Sequence, residues 1–216
     1  MFSKVLVSAL LASAVSVVSL GSAQASAILG SLWINDSNSG NASIVPAGTP
    51  DATFNPGAIN YDSRVTNYTL AGFLNNPTFN NQSSAFVTNG GGGASVDNTF
   101  IQITGTVGLN AGANSFVVEH DDGVVLTIQG IGAVVNQPGP TAPTTTPFTV
   151  TAPTKGNYNF TLNYTECCGP PAVLVWKINN VQVGVPEPAT WSMMILGVAA
   201  VGYTLRRRRM QAAFAA

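Results

Sequence analysis

Charge is scarce in this chain. Of its 216 residues 8% are charged, eight of them basic and nine acidic, where a soluble domain usually carries about a quarter. Half of the positive charge lies in one run, Arg206–Arg209. Between residues 26 and 185 three basic side chains (Arg64, Lys155, Lys177) stand against eight acidic ones, a net charge of −5. Such a body has no surface to neutralise phosphates, which excludes nucleic acid as its partner. Histidine occurs once, as His120, and cysteine twice, as the neighbours Cys167 and Cys168. A cysteine nucleophile would need that one histidine beside it. A glycosidase would need two carboxylates flanking a cleft at about 5–10 Å. The clustered acids Glu119, Asp121, Asp122 and Glu166 offer two neighbours on a turn and one inside a strand, which is no flanking pair. The expectation is a protein that is not an enzyme.

Helix signals are nearly missing from the middle of the chain, but both ends carry them. Lys4 precedes an uncharged apolar stretch from Val5 to Leu20, and Ala23-Gln24-Ala25 follows with the small-x-small pattern of a cleavage site. Residues 1–25 read as a secretory signal peptide. Near the other end, residues 189–205 form a second apolar run of 17 residues, about 26 Å as a helix, at the lower limit for spanning a bilayer. Trp191 and Tyr203 flank it where interfacial aromatics belong, and Arg206–Arg209 mark the cytoplasmic side. Residues 210–216 are then a short cytoplasmic tail. Before the run stands Val185-Pro186-Glu187-Pro188-Ala189, in which two prolines hold the backbone extended and accessible.

Val-Pro-Glu-Pro-Ala, a short apolar helix and an arginine cluster, in that order over residues 185–209, resemble the PEP-CTERM sorting signal of Gram-negative bacteria. The resemblance implies recognition by an exosortase, a membrane-embedded, cysteine transpeptidase-like enzyme, with Pro186, Glu187 and Pro188 as the recognition residues. It also implies export, with residues 189–205 holding the chain in the inner membrane before processing. Its destination is then the cell envelope or the extracellular matrix of a biofilm.

Residues 26–184 are long enough for one sizeable core. Gly, Asn, Thr, Ser and Pro interrupt the chain at short intervals, and β-branched and aromatic residues fill the gaps. Strands are expected at 100–107, 115–119, 124–129, 148–151, 158–164 and 173–178, with 181–183 folding back across Asn179-Asn180. In 158–164 the alternation puts Tyr158, Phe160, Leu162 and Tyr164 inward. Weaker candidates are 32–34, 68–70 and 85–88. Gly90–Gly93 and the Pro/Thr-rich stretch 137–147 read as loops. The fold class is all-β, an antiparallel β-sandwich or barrel.

A strand ending in Asp121-Asp122-Gly123, the strand Val124–Ile128, then Gly156-Asn157-Tyr158-Asn159-Phe160-Thr161-Leu162-Asn163-Tyr164, a short loop and the apolar strand 172–176 resemble the protective-antigen-type carbohydrate-binding domain. That resemblance implies a β-sandwich that binds polysaccharide, with Asp121 and Asp122 holding Ca²⁺ beside the sugar. Adjacent carboxylates suit a hard dication, and Glu166 is a further candidate oxygen donor. Asp-Asp-Gly also makes a tight turn, with Asp capping amides and Gly taking positive φ; both readings stand at this point. Cys167 and Cys168 allow a vicinal disulfide, intermolecular bridges or free thiols, since export permits oxidation. Trp176 is expected in the core, Trp33 as a sugar platform, and His120 as a turn residue. The expected function is a non-enzymatic envelope or matrix protein that binds polysaccharide with Ca²⁺; the alternative is a purely structural surface protein without a ligand.

Overall fold

The computed structural model describes residues 28–184 and 194–202. The body is antiparallel β-structure with two short helices. Its strands are β1 (Leu29–Ile34), β2 (Ala52–Asn55), β3 (Asn60–Asp62), β4 (Thr78–Asn80), β5 (Thr99–Leu109), β6 (Gly112–Asp121), β7 (Val124–Ile128), β8 (Gly132–Gln137), β9 (Thr144–Ala152), β10 (Gly156–Glu166), β11 (Val173–Ile178) and β12 (Val181–Gln182). A seven-stranded sheet runs β4-β2-β1-β5-β10-β7-β8. A five-stranded sheet runs β12-β11-β6-β9, with β3 added to β11.

Alternation explains which faces meet. On β10, Phe160, Leu162 and Tyr164 are buried while Asn159 and Thr161 are not. On β11, Trp176 is fully buried, and its ring meets Phe160 of the other sheet edge-on at 4.9 Å between centroids. Phe116 of β6 packs on the same indole at 5.9 Å. Fully burying such side chains contributes about 2–3 kcal/mol each. Tyr158, expected inside, is half-buried near the strand's start, where its hydroxyl donates to the Thr154 carbonyl at 2.7 Å.

Two expected strands are helices. Residues 68–70 lead into α1 (Leu70–Phe73), and 85–88 fall in α2 (Ser84–Thr88). The reason lies one residue upstream of each helix. The Thr69 and Ser83 side chains accept from the Gly72 and Phe86 amides and satisfy the first turns. The stretch 137–147 is only partly a loop. From Thr144 it joins β9, pairing Thr144–Pro147 with His120–Val117. Pro147 is tolerated there because β9 is an edge strand. Gly91–Gly93 form a single 3₁₀ turn.

The expected signal peptide (1–25), the expected recognition residues Pro186, Glu187 and Pro188, and the expected tail (210–216) lie outside the described residues. Of the apolar run 189–205, residues 194–202 are described, and they are helical and exposed. Among the described residues no helix is long and apolar enough to cross a membrane.

Candidate functional site

Two connections cross between the sheets at the same end of the molecule. Asp122-Gly123 joins β6 of the smaller sheet to β7 of the larger. Residues 167–172 join β10 of the larger sheet to β11 of the smaller. Register brings them together: Tyr164 pairs with Val124, and Val173 pairs with Asp121. Glu166, the last residue of β10, therefore ends beside the Asp121-Asp122 crossing. The Asp121–Asp122 and Pro170–Pro171 peptides are both cis.

Gly123 is required there for space. A Cβ at this position would stand 2.2 Å from the Pro138 carbonyl oxygen and 2.7 Å from Thr165 Oγ1. Its φ is not among the positive ones, so the expected positive-φ role for this glycine is corrected to one of close approach.

Carboxylate oxygens of Asp121, Asp122 and Glu166 lie within 4.8 Å of one another. All three residues are buried, at 5%, 4% and 0% exposure. Asp122 is held by two loops, its Oδ1 accepting from the Thr141 amide and its Oδ2 from the Cys167 amide, both at 3.0 Å. Glu166 accepts from the Tyr68 hydroxyl at 2.8 Å and the Tyr164 hydroxyl at 2.9 Å. The Asp121 carbonyl lies against the same Tyr164 hydroxyl and competes with Glu166 for its one hydrogen. Arg64 binds Asp62 and Glu119 at 2.7 and 2.8 Å instead of the cluster.

The electrostatic consequence is unneutralised negative charge. Burial, then the neighbouring Asp122 carboxylate, push the Asp121 carboxyl up to about 7. Burial pushes Glu166 up to about 8, against the two tyrosine hydroxyls that favour its ionised form. Tyr164 and Tyr68 are raised in turn, by burial first and then by Glu166. Either the carboxyls keep protons or a cation replaces them.

His120 is not a turn residue. It is the next-to-last residue of β6 and fully buried, with Nδ1–H donating to the Asp122 carbonyl at 2.5 Å and Nε2 at 2.6 Å from Gln137 Oε1. It supports the crossing from behind. Trp33 is half-buried, edge-on to Phe100 at 5.7 Å, and is not a free platform. Cys167 and Cys168 are joined as a vicinal disulfide, Cα atoms 3.7 Å apart. Cys167 is half-buried and Cys168 exposed.

Tyr68 and Thr141 were not found from sequence, because each reaches the site from a distant loop. Tyr164 was legible: two residues before Glu166 on one strand, it shares that face. Grooves of about 300 Å³ lie elsewhere, one beside Tyr61 and Asn75, another of about 310 Å³ beside Asn159 and Thr161. Neither brings a carboxylate, histidine or cysteine to its wall.

The sequence of residues 184–209 matches the PEP-CTERM protein-sorting motif. This chain carries a PEP-CTERM sorting signal. Its body is similar in structure to the PA14 domain of the antifreeze protein MpAFP, with TM-score 0.51 and 22% identity over 70% of this chain and 79% of that one. It is similar also to the PA14 sugar-binding domain of an RTX adhesin, with TM-score 0.51 and 20% identity over 74% of this chain and 92% of that one. The body thus shares the PA14 fold, the protective-antigen-type fold expected for it. No curated protein matches the sequence.

Proposed function

We propose that this PEP-CTERM protein is an exported carbohydrate-binding module. The observation that carries the reading is the buried cluster of Asp121, Asp122 and Glu166, three carboxylates with their oxygens within 4.8 Å. The donor set fits Ca²⁺: it is all oxygen, it is triply acidic, and Arg64 is engaged elsewhere. Asp121, Asp122 and Glu166 would hold the ion. When bound, Ca²⁺ supplies open coordination positions that vicinal sugar hydroxyls can fill. Thr141 and Cys167 fix the Asp122 carboxylate, while Tyr68 and Tyr164 orient Glu166. The position of the three acids, where two connections cross between the sheets, supports this reading. The similarity in fold to a structure described as a PA14 sugar-binding domain supports this reading.

In this proposal residues 1–25 direct export and are removed, 26–184 form the binding domain, and 189–205 hold the chain in the inner membrane. An exosortase-type enzyme then recognises Pro186, Glu187 and Pro188 and sorts the chain to the envelope or matrix. The protein binds and does not catalyse.

The test is calorimetric titration of the full chain in detergent with Ca²⁺, then glycan-array binding with and without chelator. One saturable Ca²⁺ site, lost in Asp121→Asn/Asp122→Asn, and chelator-sensitive glycan binding are expected. A wild-type chain that takes up no Ca²⁺ would reduce Asp-Asp-Gly to a crossing turn and leave a structural surface protein.

A further inference from the structure

The acid cluster is not the only set of ligating atoms at this end of the molecule. A carboxylate oxygen of Asp122 and the sulfurs of Cys167 and Cys168 also lie within 4.8 Å of one another. Cys167 Sγ stands 3.2 Å from Asp122 Oδ2. Neither sulfur of a disulfide carries a hydrogen, so this is a contact and not a hydrogen bond. The connection bearing the cysteines is fastened at both ends. Glu166 closes β10 paired with Thr99, and Ala172 is clipped to Ser63 by two hydrogen bonds, at 2.8 and 2.9 Å. Opening the sulfur–sulfur bond therefore leaves two thiols beside Asp122 on an anchored loop.

We propose that reduction of Cys167–Cys168 creates a second metal site, for a thiophilic divalent cation of the Zn²⁺ type, with Asp122, Cys167 and Cys168 as ligands. A dithiol reductant supplies two electrons and two protons. The protein's sulfur–sulfur bond breaks, each sulfur gains a proton, and the reductant closes its own disulfide. The cation then displaces both thiol protons and forms two metal–sulfur bonds and one metal–oxygen bond, with water in the fourth position.

Three arguments support the assignment. With Zn–S near 2.3 Å and Zn–O near 2.0–2.2 Å, ligand atoms on a tetrahedral ion stand about 3.5–3.8 Å apart, and the Cys167 Sγ–Asp122 Oδ2 separation of 3.2 Å is within a few tenths of an ångström of that range. Thiolates select Zn²⁺-like ions over Ca²⁺, which takes oxygen alone. Asp121 and Glu166 lie beside the site, and a dication there favours their ionised forms, which in turn hold it. Asp122 belongs to both donor sets, so the two ions compete for it. The redox state of the cysteines decides which class of ion this end of the domain holds. The inference stands on the positions of Asp122 and the two cysteines and needs no carbohydrate.

The test uses the full chain in detergent, reduced anaerobically with a phosphine that is then removed, and titrated with Co²⁺ as the probe. One equivalent of thiolate-to-cobalt charge-transfer absorption is expected, bleached by Zn²⁺, absent from the oxidised chain and from Cys167→Ser/Cys168→Ser. Asp122→Asn should lower the Co²⁺ affinity by about tenfold or more. An oxygen-only site at the acid cluster gives no such band, so the result is independent of the Ca²⁺ titration. No band in the reduced, folded chain overturns the proposal. So does wild-type Co²⁺ affinity in Asp122→Asn, or loss of the folded circular-dichroism signal on reduction.

Discussion

Replacing Glu166 with glutamine should stabilise the metal-free protein at neutral pH. Glu166 is fully buried, receives two tyrosine hydroxyls and has its carboxyl raised from an ordinary 4.5 to about 8. Below pH 4.5 the folded and unfolded chains are both protonated there, and the group contributes nothing pH-dependent. Between 4.5 and about 8 the unfolded chain releases the proton and the folded chain keeps it. Stability therefore falls as pH rises, by about 1.4 kcal/mol per pH unit for this one group. By pH 7 the accumulated loss is on the order of 3 kcal/mol. Glutamine carries no proton to lose, so that part of the slope should vanish. The Asp121 part, from an ordinary 3.8 to about 7, should persist. The assay is urea denaturation in chelator from pH 4.5 to 8, followed by tryptophan fluorescence, with m constant. Ca²⁺ at a thousand times Kd should reverse the order, because it binds the ionised carboxyls and stabilises wild type by about 4.1 kcal/mol there. A variant with the wild-type pH slope in chelator, or one less stable than wild type at pH 7, would refute the reasoning.

Other outcomes follow from the same geometry. Gly123→Ala drives a Cβ against the Pro138 carbonyl at 2.2 Å; the crossing must shift, at a cost of about 2 kcal/mol in urea denaturation, with a matching loss of Ca²⁺ affinity by calorimetry. Trp176→Ala removes the indole that Phe160 and Phe116 pack against and should cost about 3–5 kcal/mol by thermal or urea melts. Thr69→Ala removes the cap on the Gly72 amide and should cost about 1 kcal/mol. Arg64→Gln breaks two ion pairs on an exposed guanidinium and should change stability by less than about 1 kcal/mol, while the Asp62 carboxyl, now held low by that arginine, returns toward its ordinary titration by NMR.

Much of the fold was legible because strand periodicity is local. Phe160, Leu162 and Tyr164 declare a buried face by their spacing alone, and 100–107, 124–129 and 173–178 fall within β5, β7 and β11 or one residue beyond. The failures share one cause. At 68–70 and 85–88 a short apolar run suits a strand or a helix equally, and the hydroxyls of Thr69 and Ser83 decide it. β8 and the start of β9 were missed because Gly, Pro and Thr mark loops and edge strands alike. At the site, Asp121, Asp122 and Glu166 could be chosen because acids are rare in the chain. Their mutual distance could not, since Glu166 comes from the end of a different strand.

What the sequence determined by itself is the sorting signal and the β-character of the body. Both are written in contiguous residues: prolines, an apolar run and arginines in one case, alternation in the other. Only the tertiary structure decided that two sheet-crossing connections meet at one end. Only it placed Tyr68 on Glu166 across 98 residues and Thr141 on Asp122 across 19. It also made His120 a buried support of the crossing. Hydrogen bonds and charge act through space over a few ångströms, and the chain reaches those distances only after the strands have found their register.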